Sequence, residues 1–91
     1  MTALTSMRNI GREMARKLTA AGIGSAEALT GMGSKQAYLR LKLLYPRVCL
    51  VHLYALEGAV QNVDFNDLPQ EVKADLKEFS DFLNGKGGPA L

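Results

Sequence analysis

Apolar residues recur along this chain at spacings of three and four, the period of helices, and no segment alternates as a strand would. Met7, Ile10, Met14, Leu18 and Ala21 form one such stripe, which predicts a helix over about 11–21 leading out of a turn at Gly11. Gly22 follows where a helix closes through a left-handed residue, a conformation glycine takes without strain. Ser25 predicts an N-cap for a short helix over about 26–31, with Glu27 in its first turn, and Gly31-Met32-Gly33 predicts its break. Ser34 reads as the cap of a helix over about 35–45 that turns Ala37, Tyr38, Leu41, Leu44 and Tyr45 inward and stops at Pro46.

The next segment, about 48–61, is apolar nearly all round. Leu50, Val51, Leu53, Tyr54, Ala55, Leu56, Ala59 and Val60 leave almost no polar face, so this helix is expected at the centre, wrapped by the others. Residues 62–67 read as a loop. Pro69 suits the first turn of a last helix, with Asn66 or Asp67 as its cap. Its buried stripe is Leu68, Val72, Leu76, Phe79 and Leu83, opposite Glu71, Lys73, Asp75, Lys77 and Glu78, and Gly85 closes it. The expected fold is all-α: a compact bundle of five or six helices with tandem helix-hairpin-helix-like units. One domain is expected over 1–84 and a disordered, glycine-rich tail over 85–91.

Composition narrows the chemistry. With 91 residues there is room for one domain, and 47% hydrophobic with 22% charged residues is ordinary globular usage. A single cysteine, Cys49, and a single histidine, His52, exclude a disulfide framework and a zinc cluster by count. The three-residue spacing of this pair is compatible with a metal or thiolate–imidazole pair, but no third partner lies nearby in sequence, so a buried structural Cys and a hydrogen-bonded His are expected. No apolar run approaches the roughly 20 residues of a membrane span, and the N-terminus lacks a signal-peptide core. A cytoplasmic protein is therefore expected. Nucleotide loops, nucleophile elbows and paired-carboxylate spacings are absent, so no catalytic residue, small-molecule substrate, cofactor or metal is expected.

The charge is unevenly placed. Residues 1–47 hold eight Lys and Arg against Glu13 and Glu27, whereas residues 48–91 hold three Lys against seven acids, within a net charge of +2. A basic half suits an anionic partner, or else the acidic half of the same or another chain.

A short internal repeat lies in the basic half. Met7-x-x-Ile10-Gly11-x-x-x-Ala15 recurs as Leu29-x-x-Met32-Gly33-x-x-x-Ala37, shifted by 22 positions. Two tandem hairpins of this kind would present helix N-termini whose free N–H groups suit phosphate. The nucleic-acid reading therefore rests on Asn9, Ile10, Gly11, Arg12, Arg16 and Lys17 around the first turn, and on Gly33, Lys35 and Lys42 around the second. Asn9 stands where the phosphate-binding pattern has its first glycine, and asparagine tolerates the positive φ such a turn needs. Against this stands a structural hairpin with a solvated basic face.

Asn9-Ile10-Gly11, Ala21-Gly22-Ile23, Met32-Gly33 with Ala37-Tyr38, Leu53 through Ala59, and Leu68-Pro69 together resemble the C-terminal domain of the TfoX/Sxy proteins, bacterial proteins associated with competence for DNA uptake. The resemblance runs from about Leu4 to Phe79. It implies an all-helical fold related to helix-hairpin-helix and SAM-like domains, without a catalytic activity. The family's N-terminal domain is not part of this sequence, and Phe65 stands where the family often has tryptophan. Gly22, Glu57 and Gly58 are expected to be structural. Glu57 interrupts an apolar helix and so needs a partner, expected to be Arg40, Arg47 or a neighbouring backbone group. Two functions follow. The first is a regulatory module acting through a protein partner or a homodimer in competence or transcription control. The alternative is a weak, sequence-independent binder of nucleic-acid phosphate.

Overall fold

The computed structural model of the chain describes residues 1–85. Five helices follow one another: α1 (Arg12–Ala20), α2 (Ala26–Met32), α3 (Ser34–Leu44), α4 (Leu50–Gln61) and α5 (Gln70–Leu83). Single 3-10 turns at Leu4–Ser6 and Phe65–Asp67 precede the first and last helices. No strand occurs among the described residues, so the chain is the all-α bundle its periodicity predicts. The tail beyond Gly85 lies outside the described residues.

α4 is the element around which the bundle closes. It packs against α3 on one side and α5 on the other, with the Phe65–Asp67 turn against its C-terminal half. Leu53 and Leu56 are fully buried, with Ala55, Gly58 and Ala59 beside them. The wrapping is incomplete, because Val51 is 56% exposed on the first turn. Tyr38, Leu41 and Ala37 meet α4 from α3, Leu76 from α5, and Leu18, Ile23 and Leu29 close the core from the N-terminal side. Met7, Met14 and Met32 pack against this core as hairpin filling, whereas Met1 is exposed.

Helix ends follow local chemistry, with three departures from expectation. α1 closes as the sequence predicts: Gly22 has φ +87° and the Ile23 N–H returns to Leu18 O at 2.8 Å. Ser25 Oγ accepts from the Ala28 N–H, while the Ala26 N–H donates to Thr2 O and Glu27 accepts from Thr2. The N-terminal segment thus straps the start of α2. The first departure is at Gly31, which stays inside α2; the break falls at Gly33 alone, with φ +88°. Gly33 is also the N-cap of α3, so Ser34 is the first residue of that helix and its hydroxyl is free to bond elsewhere. At α5 the N-cap is Pro69, without a side-chain cap; Asn66 instead gives its N–H to Asp64 in the preceding turn. Leu44, expected inward, is half-exposed because α3 ends there and the chain turns away at Tyr45.

Candidate interaction surface and hairpin turns

The two copies of the sequence repeat do not fold alike. In the first, the left-handed residue is Asn9 (φ 69°), and Gly11 has an ordinary negative φ of −89°. In the second, the left-handed residue is Gly33, two positions later in register. Asn9 holds its turn with its side chain. Its Nδ2 donates to Val63 O at 3.0 Å and Ala55 O at 3.4 Å, and its Oδ1 accepts from the Phe65 N–H at 3.3 Å. Asn9 therefore staples the start of the chain to the end of α4 and the loop beyond it. Gly58 makes room for this staple: a Cβ there would lie 2.6 Å from Val63 O and collide with Nδ2 of Asn9.

The second turn is engaged differently. α3 and α4 run antiparallel, so the first residue of α3 lies beside the C-terminal half of α4. Ser34 Oγ donates to Glu57, whose other carboxylate oxygen accepts from Gln61 Nε2. This corrects the expected partner of Glu57. Arg40 and Arg47 sit toward the opposite end of the α3–α4 pair, out of its reach. The chain's own carboxylate therefore stands beside the second turn, bonded to the Ser34 hydroxyl.

The cations divide into two groups. Arg16 pairs with Glu13 at 2.7 Å, which raises the guanidinium's affinity for its proton and lowers the carboxyl's. Lys35 pairs with Asp75 of α5 at 2.7 Å and lies over the Phe79 ring. Lys17 covers the Tyr45 ring, and Lys42 donates to the carbonyls of Pro46 and Val48 beyond the end of α3. By contrast, Arg8, Arg12, Arg40 and Arg47 are exposed and form no ion pair among the described residues.

Cys49 is exposed rather than buried, because it is the N-cap of α4 and stands at the domain edge. His52 is hydrogen-bonded as expected: its Nδ1 accepts the Cys49 N–H at 3.0 Å, satisfying an amide that α4 cannot. Burial, with Lys17 nearby, pushes the imidazole pKa below its usual 6.5, outweighing the opposing effect of that hydrogen bond. No group of three or more metal-ligating side chains occurs among the described residues.

One surface was not singled out by the repeat or the charges. α3 and α5 run side by side in the same direction, tied by Lys35–Asp75 at one level and by the Tyr38 hydroxyl with buried Ser80 Oγ at the next. Near their C-terminal ends Leu39 and Leu43 of α3 and Leu83 of α5 line a concavity of about 490 Å³. Leu43 is 84% exposed, and Phe82, which lines a second α3–α5 concavity with Lys35, Asp75 and Phe79, is 68% exposed. The sequence held a signal for this face, since Leu39 and Leu43 are four apart and fall off the inward stripe of Ala37, Tyr38 and Leu41.

Among solved structures, two crystal structures of Listeria monocytogenes proteins share this fold. An uncharacterized protein in a triclinic form matches with 38% identity and a TM-score of 0.93, over 94% of this chain and 98% of that one. A protein of unknown function in a tetragonal form matches with 40% identity and a TM-score of 0.86, over 88% and 98%. No curated protein matches the chain. The family model of the TfoX C-terminal domain matches residues 1–80, which include the Asn9 staple, both turns, α4 and most of α5. By that match, the chain belongs to the TfoX C-terminal domain family.

Proposed function

We propose that this domain is a non-enzymatic regulatory module of the cytoplasm that acts through protein–protein contacts, in the control of competence or transcription. The observation that carries the reading is the exposed apolar side chains of α3 and α5: Leu43 in the concavity with Leu39 and Leu83, and Phe82 in the one with Lys35 and Phe79. Exposed apolar side chains on one face, rimmed by charge, mark contact sites in small proteins. The polar groups that might otherwise do acid–base work are engaged in structure: Glu57 with Ser34 and Gln61, His52 with the Cys49 amide. A photo-crosslinking residue at position 43, in the full chain expressed in its own cell, tests this. A discrete adduct from position 43, absent when the residue is moved to Asn66, supports the reading. No adduct, or the same adducts from both positions, refutes it.

A second reading rests on Arg8 and Arg12, exposed and without an ion pair among the described residues, on either side of the first turn. Two phosphate contacts there give a logarithmic salt slope of about −2 on duplex DNA, without sequence preference. Arg8→Ala with Arg12→Ala removes it. Fluorescence anisotropy at low salt with about 100 μM protein decides, and absence of binding removes this reading.

A further inference from the structure

We infer that the α3–α5 face docks a second copy of this chain, forming a two-fold dimer whose axis runs along the groove between the two helices. The inference rests on the reading of that face as a contact surface. Its first ground is charge. α3 carries Lys35, Arg40 and Lys42 and no acid, and with Lys35 paired to Asp75 of its own copy it keeps a surplus of two positive charges. α5 carries four acids against two lysines, and without Asp75 it keeps a surplus of one negative charge. Of the two ways to set this face on itself about a two-fold axis, one crosses the helices and lays α3 on α3, basic wall on basic wall. The other runs along the groove and lays α3 of each copy on α5 of its partner, opposite charge on opposite charge. Only the second is electrostatically favourable.

The second ground is register. Because α3 and α5 are parallel, an axis along the groove keeps every residue at its own level. Lys35 pairs with Asp75 within one copy, and Leu43 lines the concavity with Leu83, so residues about 40 apart share a level. Phe82 of one copy therefore meets the other copy between Leu39 and Leu43. The two most exposed apolar side chains of the face, Phe82 and Leu43, cover each other twice in one symmetric contact. A face about 16 Å long, set by the 11 residues of α3, and two helices or roughly 20 Å wide covers on the order of 300 Å², small beside the roughly 800 Å² per partner of a standard interface, so the association is weak and concentration-dependent.

The test uses the full chain and two variants, Leu43→Glu and Phe82→Lys, each of which sets a charge against the like-charged wall of its partner copy. Both positions are solvent-exposed, so each variant keeps its fold, checked by far-UV circular dichroism and thermal unfolding. Sedimentation velocity from about 5 to 500 μM should show the wild-type mass rising from 9.9 kDa toward twice that value. Each variant alone should weaken the dimer at least about tenfold. Mixed in equal amounts, the two should associate again, because one contact keeps its native Leu–Phe pair and the other gains a Lys–Glu pair. A wild-type chain that stays monomeric across this range overturns the dimer. So does a folded mixture no heavier than its components. A monomeric wild type that still crosslinks through position 43 to a different protein overturns the dimer while leaving the contact-surface reading in place.

Discussion

Gly58→Ala isolates the packing that joins the two ends of the domain. In an open helix interior this change stabilises by up to about 1 kcal/mol, because alanine is the better helix former. At Gly58 the added methyl has no space. It would stand 2.6 Å from Val63 O, which is main chain and is held in place by the Val63 N–H bond to Gly58 O at 2.9 Å. It also displaces the Asn9 amide, breaking its bonds to Val63 O, Ala55 O and the Phe65 N–H. Three partly buried hydrogen bonds at about 1 kcal/mol each, and overpacking against backbone at about 1–3 kcal/mol, outweigh the propensity gain. The net expected loss is about 3–5 kcal/mol. In urea, where a chain of this size has a slope near 1 kcal/mol per molar, the midpoint falls by about 3–5 M. Gly31→Ala is the internal control, since Gly31 also lies in a helix but has nothing within 4 Å of the new methyl. That variant should gain up to about 1 kcal/mol. If Gly58→Ala costs less than about 1 kcal/mol, or stabilises as Gly31→Ala does, the close approach of Asn9 and Val63 to α4 is wrong.

Asn9→Gly keeps the left-handed backbone but removes the staple, and should cost about 2–3 kcal/mol by thermal unfolding. Leu56→Ala, at a fully buried position, should cost about 2–5 kcal/mol in urea; a loss below about 1 kcal/mol would deny α4 its central place. His52 has a lowered pKa, so the unfolded chain binds its proton more readily than the folded one. Its contribution to stability is therefore present above pH 6.5 and is lost as pH falls through the folded pKa. Chemical denaturation between about pH 5 and 8 should show this decline, and His52→Gln should flatten it.

Much of the fold was legible because helix stripes are local. The spacings of Met7 through Ala21 and of Leu68 through Leu83, and the glycines at 22 and 33, are decided by neighbours in sequence. What escaped depends on packing between elements. The Ile-Gly and Met-Gly copies look alike in sequence, yet Asn9 found partners in α4 and its following loop, and the left-handed residue moved accordingly. The apolar helix around Glu57 says that it needs a partner, but only the antiparallel alignment of α3 and α4 shows that the partner is Ser34 rather than an arginine. The cations read alike in sequence. Asp75 and the carbonyls beyond α3 separate Lys35 and Lys42 from Arg8 and Arg12, which form no ion pair among the described residues.

The Asn9 staple also sets an order of events in time. The main helix contacts link α2 with α3, α3 with α4 and α4 with α5, each pair adjacent along the chain, and such local topology folds within microseconds to milliseconds. Asn9 reaches Val63 across 54 positions, so this bond closes a loop that spans more than half the domain. Its entropy cost is met only after the α3–α4–α5 unit has formed to receive it, and the staple belongs late, after the folding barrier. Loss of the Asn9 side chain then leaves the folding rate nearly unchanged and speeds unfolding, so the staple acts as a kinetic latch on an already assembled bundle.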